Sequence, residues 1–246
     1  MIKEKFVGVG FVFMLYANIS HGQQLLNKKE IYANWIKSHT ISLDCDTLIN
    51  QLSYDAKIQS QIKTAITTLR SIGIDTLLVL VNSHPGTLIA DTCRSSNYPA
   101  EVYIFWQING KEWIKKNPNK CELGGIKSSC SNVFNFFSKH TQQLQDEYIM
   151  PVILSAKRDG DNINYNRIIY SDINEYVLYY SIHNQCKKFS FSEADITNTK
   201  NLFYSDNVGS QLYKWFITLQ KKCDSVESAN LDITPALSRM VKQKSR

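Results

Sequence analysis

The chain has 246 residues, of which 43% are hydrophobic and 20% are charged, and its formal net charge is +6. The apolar share excludes intrinsic disorder, and the 10 glycines and 5 prolines are too few for a collagen-like or low-complexity chain. The charge excess is small and most visible in a basic C-terminal tail at about 230–246, so the composition does not indicate a nucleic-acid partner.

Residues 1–22 have the pattern of a signal peptide. Lys3 and Lys5 precede an apolar run at 6–16, and Gly22 provides a small residue of the kind that a signal peptidase reads. This apolar run is shorter than the roughly 20 residues that a membrane-spanning helix needs. We therefore predict cleavage after Gly22, no membrane span in the mature chain, and a secreted or periplasmic protein.

Residues 23–246 show no internal repeat and no linker rich in Gly, Pro or Ser, which predicts a single domain with the basic tail at its end. Apolar residues recur at helical spacing in four segments of this part. These segments predict helices over 24–38, 54–71, 132–147 and 206–223. Asp206 is expected to cap the last helix.

The remaining regular segments read as strands. Residues 76–82 are apolar on both faces, which is typical of a buried strand, and Asn109-Gly110 predicts a tight hairpin. The other predicted strands are 102–108, 111–115, 151–156, 163–170, 176–183 and 188–192. Short turns separate the last four, so we expect a long C-terminal antiparallel meander. The predicted class is α+β, a mainly antiparallel sheet flanked by about four helices.

The six cysteines all follow the predicted cleavage site. An even number of cysteines in an oxidising compartment predicts disulfides, whereas the absence of a C-x2-C pair argues against a metal site. No cofactor is expected. Local loop closure, the expected return of the last helix and elimination predict the pairs Cys121–Cys130, Cys186–Cys223 and Cys45–Cys93.

A loop at 83–99 is the best place for a functional site. His84 leaves the end of the buried strand, and Asp91, Arg94 and Ser95 follow in the same loop. Imidazole, carboxylate, guanidinium and hydroxyl groups are those of acid–base or anion-binding clusters, although an ordinary surface loop is the interpretation that we favour. We expect His84 and Asp91 to be exposed.

The predicted meander is rich in tyrosine, including Tyr176 and Tyr180. Tyrosine is stiff and amphipathic, which suits contact with a protein, peptide or glycan, and it equally suits a half-buried sheet face.

No sequence motif commits the chain to an enzymatic reaction, so we favour a non-enzymatic exported module that binds a protein, peptide or glycan. The alternative is a secreted or periplasmic hydrolase that uses His84 with a carboxylate such as Asp91. A structural or inhibitory protein that occludes a partner is a third reading.

Overall fold

A computed structural model of the chain describes residues 23–39, 43–84, 100–116, 125–129, 133–182 and 185–224. These ranges contain nine strands and seven helices. The strands are β1 (Gln23–Leu25), β2 (Leu77–Ser83), β3 (Ala100–Ile108), β4 (Lys111–Lys116), β5 (Gly125–Ser129), β6 (Ile153–Asp159), β7 (Asn162–Arg167), β8 (Glu175–Ile182) and β9 (Gln185–Ser192). The helices are α1 (Lys28–His39), α2 (Cys45–Ile49), α3 (Ala56–Ser71), α4 (Val133–Asp146), α5 (Glu193–Thr197), α6 (Tyr204–Gly209) and α7 (Gln211–Cys223).

Six strands form the main sheet, in the order β5-β4-β3-β2-β8-β9, and all neighbours are antiparallel. β2 is central and buried on both faces, as its continuous apolar sequence predicts. The β3–β4 hairpin turns at Asn109 and Gly110, which have φ values of 48° and 73°. These left-handed conformations are those of the predicted Asn-Gly turn, which is confirmed.

Helices α4 and α7 cover one face of this sheet. Phe137 of α4 and Trp215 of α7 pack with ring centroids 5.3 Å apart, and both rings contact Tyr180 of β8. The Trp215 indole N–H also donates to the carbonyl oxygen of Val133 at 3.2 Å. The two helices and the sheet therefore share one large apolar core.

Helices α2 and α3 cover the opposite face. α3 directs Ile62, Ile66 and Leu69 toward the sheet, at the spacing of an amphipathic helix. Its start is fixed by Asp55, whose carboxylate accepts from the backbone N–H of Lys57 and Ile58, both at 2.9 Å.

The remaining strands form a smaller sheet in the order β1-β6-β7, which packs on α1. Trp35 of α1 meets Tyr165 of β7 edge-on, with ring centroids 5.2 Å apart. The β6–β7 hairpin turns at Gly160, which has a φ of 58°.

Three buried polar residues, Asp195, Asn201 and Asn207, bind the backbone of the segment that leads into β6. Asp195 accepts from the N–H of Val152 at 3.0 Å, and Asn207 both accepts from and donates to the backbone of Met150, at 2.9 and 2.8 Å. Side chains from α5 and α6 thus satisfy backbone groups that no strand partner reaches.

The α+β class is confirmed, but the single C-terminal meander is wrong. Its first hairpin, β6–β7, belongs to the small sheet, and its second, β8–β9, pairs through β8 with β2 in the main sheet. Seven residues separate β7 from β8, and this connection allows the chain to leave one sheet and enter the other.

Two predicted helices are also corrected. The first starts at Lys28 instead of 24, because residues 23–25 pair with β6 as β1. The last is interrupted at Ser210, which ends α6 and caps α7 by accepting from the N–H of Tyr213 at 3.0 Å. Asp206, the predicted cap, lies instead in the first turn of α6 and pairs with Lys28. α2, α5 and β5 were not predicted.

The predicted cysteine pairing is wrong for the two bonds that the structure tests. Cys45 of α2 is bonded to Cys186 of β9, with Cα atoms 5.6 Å apart. Cys223 is buried and forms no disulfide within the described part of the chain. The proposed Cys121–Cys130 bond and Cys93 lie outside the described residues.

Among the described residues, none of the helices is both long enough and apolar enough to cross a membrane.

Candidate functional site

The face of the main sheet covered by α4 and α7 becomes polar at one end. β2 places Leu78 and Leu80 in the core on this face, and by strand alternation the next residues on the same side are Asn82 and His84. Asn82 is the register partner of Glu101 in β3 and of Tyr176 in β8. We call the set His84, Asn174, Glu193, Asn82, Gln220, Glu101 and Lys116 the polar end.

His84 is held by a chain of two hydrogen bonds. Its Nδ1 lies 2.9 Å from Oδ1 of Asn174, and Nδ2 of Asn174 donates to Oε2 of Glu193 at 2.9 Å. The backbone of Asn174 is fixed as well, because its carbonyl oxygen accepts from the N–H of Glu193 at 2.8 Å. The loop before β8 and the start of α5 thus orient the imidazole from the side.

This arrangement selects a tautomer of His84. An amide oxygen only accepts, so Nδ1 must carry the proton, and in the neutral ring Nε2 is then an acceptor. An imidazole with this tautomer, oriented by a second polar group, is the form that takes a proton in acid–base catalysis and that accepts a hydrogen bond from a ligand.

A second cluster lies across the sheet on β3 and β4. Lys116 Nζ donates to Glu101 Oε1 at 2.9 Å, and the Tyr103 hydroxyl donates to Glu101 Oε2 at 3.2 Å. The lysine side chain is only 10% exposed and the glutamate 29%. Burial, reinforced by Glu101, raises the pKa of Tyr103, so this hydroxyl stays protonated.

Asn82, the register partner of Glu101, forms an amide pair with Gln220 of α7. Gln220 Nε2 of α7 donates to Asn82 Oδ1 at 3.1 Å, and the Asn82 amide donates back to Gln220 at 3.5 Å.

Cys223 lies about one turn further along α7 than Gln220. Burial raises the pKa of the Cys223 thiol, and Asp224 and Glu101 act in the same direction. A thiol so strongly held in its neutral form is not an activated nucleophile.

The structure places the predicted site residues differently. His84 is half-buried and bonded to Asn174, so the expectation of an exposed side chain is wrong. Asp91, Arg94 and Ser95 lie outside the described residues. Tyr180 is 1% exposed and belongs to the core, where burial raises its pKa to about 12, and Tyr176 is half-buried against Phe216.

Sequence reasoning missed most of the polar end. Asn174 is 90 residues from His84 along the chain, and Glu193 follows it by another 19. The available signal was positional: Asn174 and Glu193 flank the ends of β8 and β9, and antiparallel strands bring such ends beside the end of β2. Glu101 and Lys116 likewise interrupt otherwise apolar alternation.

The described residues contain no cluster of three or more His, Cys, Asp or Glu side chains that could hold a metal ion. The chain matches no known family, no curated protein and no solved structure.

Proposed function

We propose that the chain is an exported binding module that contacts a protein, peptide or glycan through the polar end. The observation that carries the proposal is the change from apolar to polar side chains at this one end of the sheet face, with each group held by a partner on another element. Side chains that are already oriented lose little conformational freedom on binding, which favours affinity.

Export is supported by two features. Residues 1–22 have the signal-peptide pattern, and the Cys45–Cys186 disulfide is of a kind that persists in oxidising compartments. Cleavage after Gly22 leaves β1 whole. N-terminal sequencing of protein from the native host should give Gln23 as the first residue, and a mature chain that retains residues 6–16 would contradict export by this route.

The binding proposal is tested with the mature chain, residues 23–246, on an oligosaccharide array and against a phage-displayed random peptide library. At least one probe class should bind, and Asn174→Ala should weaken that binding about tenfold, because a lost oriented hydrogen bond is worth about 1.4 kcal/mol. His140→Ala is the control, since His140 lies on α4, where its ring bonds Gln143 and contacts Phe136. The proposal would be contradicted if the mature chain bound neither the oligosaccharides nor the peptides, or if Asn174→Ala and His140→Ala bound equally well.

A hydrolase that uses His84 is the second candidate, and the His84–Asn174–Glu193 chain favours it. A general base oriented by a neighbouring polar group is the arrangement of several hydrolytic triads. If this candidate holds, the mature chain hydrolyses p-nitrophenyl esters or glycosides and His84→Ala lowers the rate by about 100-fold or more. Equal rates for His84→Ala and His140→Ala would exclude it.

A further inference from the structure

β7 is an unprotected edge of the three-stranded sheet. It pairs only with β6, and within the described residues no backbone hydrogen bond joins its outer side to another element. Natural edge strands are usually shortened, covered or charged, because an open edge pairs with other strands. β1, the opposite edge, has three residues, and β9 carries Lys187 and Lys188. β7 has six residues, without lysine or proline, and the register shift of its ladder with β6 lies between Ile153 and Ser155 of β6.

The hairpin turn decides which β7 residues present their backbone outward. Asp159 and Asn162 flank a two-residue turn, so they form a hydrogen-bonded pair. Hydrogen-bonded and non-bonded pairs alternate along an antiparallel ladder, so Asn164 also directs its N–H and C=O toward β6. Ile163 and Tyr165 therefore direct theirs to the open side.

We propose that β7 pairs with β7 of a second copy of this chain, antiparallel, about a two-fold axis at Asn164. In this register Ile163 lies opposite Tyr165 of the second copy, so the outward backbone groups meet in hydrogen-bonded pairs. Asp161, in the turn directly before β7, comes close to Arg167 of the second copy, and the axis repeats each of these contacts. Two small sheets then become one continuous six-stranded sheet.

The side chains of β7 fit this register. Ile163 and Tyr165 form an aliphatic–aromatic cross-strand pair, and uncharged asparagines meet on the axis. The Arg167 guanidinium, which lies over the Trp35 ring of its own chain at 4.9 Å, attracts the Asp161 carboxylate of the second copy from beyond the end of the ladder. An axis at Tyr165 would instead place Arg167 opposite Ile163 and Asp161 opposite Ile169. Charge complementarity therefore selects a second copy, and this register of it, as the occupant.

The dimer is expected to be weak, because one six-residue strand edge buries less surface than the roughly 1,600 Å² of a standard interface. Sedimentation velocity of the mature chain between about 1 and about 100 μM should show a monomer–dimer equilibrium in the micromolar range. A monomer at every concentration would overturn the proposal and leave a strand from a different protein as the occupant of the edge.

Two glutamate variants test the axis. Asn164→Glu places a carboxylate opposite Lys157 within each copy, where it is favourable, but brings two carboxylates together on the axis. It should raise the dimer dissociation constant about tenfold, whereas the control Asn166→Glu, which faces Asn162 of the second copy, should not. Equal effects of the two variants would overturn the register.

Disulfide trapping gives a positive test. On the axis the two residue-164 Cα atoms lie about 4.5 Å apart, within disulfide range, whereas residues 162 of the two copies are offset by four residues, or about 13 Å. Under mild oxidation Asn164→Cys should give a covalent dimer on a non-reducing gel and Asn162→Cys should not. A trapped dimer from Asn162→Cys, or none from Asn164→Cys, would contradict the proposed axis.

Discussion

Lys187 of β9 caps the C-terminal end of α4. Its Nζ donates to the carbonyl oxygens of Leu144, Gln145 and Glu147 and lies 3.8 Å from the Tyr148 ring centroid. The last carbonyls of a helix have no partner within it, and the negative end of the helix dipole attracts a cation. A single side chain therefore completes α4 and attaches it to the sheet edge.

Burial lowers the pKa of Lys187 to about 8, against the opposing effect of Asp146 and Glu147. Between about pH 8 and the usual lysine value near 10.4, the unfolded chain holds this proton and the folded chain releases it, so the contribution of Lys187 to stability rises with pH. We predict that the unfolding free energy of the wild type, relative to Lys187→Met, increases over this window in urea titrations.

Lys157→Met, at an exposed position of β6, is the control for this titration. Its difference from the wild type should stay constant over the same pH range. A parallel change in both variants would show that the pH dependence arises elsewhere.

The residue scale also limits what the sequence could predict of the site. His84 was identified because it directly follows a strand that its own composition reveals. Its partners Asn174 and Glu193 were not, because they come near His84 only through the pairing of β8 with β2 and of β9 with β8. The local chain carries no trace of these contacts.

At the scale of elements, α5 depends on a buried carboxylate. Asp195 accepts from the backbone N–H of Ser192 at 2.7 Å and from that of Val152 at 3.0 Å. Burial raises the pKa of this carboxyl, while those hydrogen bonds oppose the rise. Asp195 thus joins the start of a helix to the segment before β6.

We predict that Asp195→Ala lowers the free energy of unfolding by about 2–4 kcal/mol, because it leaves the buried N–H of Val152 and the half-buried N–H of Ser192 without an acceptor. Urea unfolding measures the loss. Asp172→Ala removes an exposed carboxylate and should change stability by less than about 0.5 kcal/mol. A similar small change at Asp195 would mean that water replaces the carboxylate.

Helices and strands that are determined by residues close in the sequence were predicted well. Those that depend on a partner element far away in the sequence were not. Asp55 and the Asn109-Gly110 turn determine their own segments, so the start of α3 and the β3–β4 hairpin follow from a few neighbouring residues. β1 is a strand only because β6 lies beside it, and its own sequence suits a helix. The division of four C-terminal strands between two sheets has the same distant origin.

At the scale of the whole molecule, strand alternation explains the failed cysteine pairing. Phe189 and Phe191 of β9 face α7, so Cys186, which is out of phase with them, belongs to the opposite face and packs with α2 and α3. Cys223 ends α7 and lies in the core on the phenylalanine side. The length of the last helix therefore did not identify the partner of Cys186. In contrast, the strand positions of Cys186, Phe189 and Phe191 already indicated that Cys186 and Cys223 lie on opposite faces of the sheet.

We predict that Cys45→Ala/Cys186→Ala lowers the free energy of unfolding by about 3–5 kcal/mol, because the bond closes a loop with a sequence separation of 141. The urea m-value should rise at the same time, since an unfolded chain without this crosslink exposes more surface. An unchanged m-value together with unchanged stability would mean that the bond does not restrict the unfolded chain.

The same bond has a consequence for biogenesis. A chain that crosses a membrane from its N-terminus presents Cys45 first, then Cys93, Cys121 and Cys130, and only afterwards Cys186. Oxidation in order of arrival would join Cys45 to Cys93, and the native partner would then have to displace that bond by thiol exchange. If the chain is exported as we propose, its efficient maturation requires either delayed oxidation or a disulfide isomerase in the compartment that receives it.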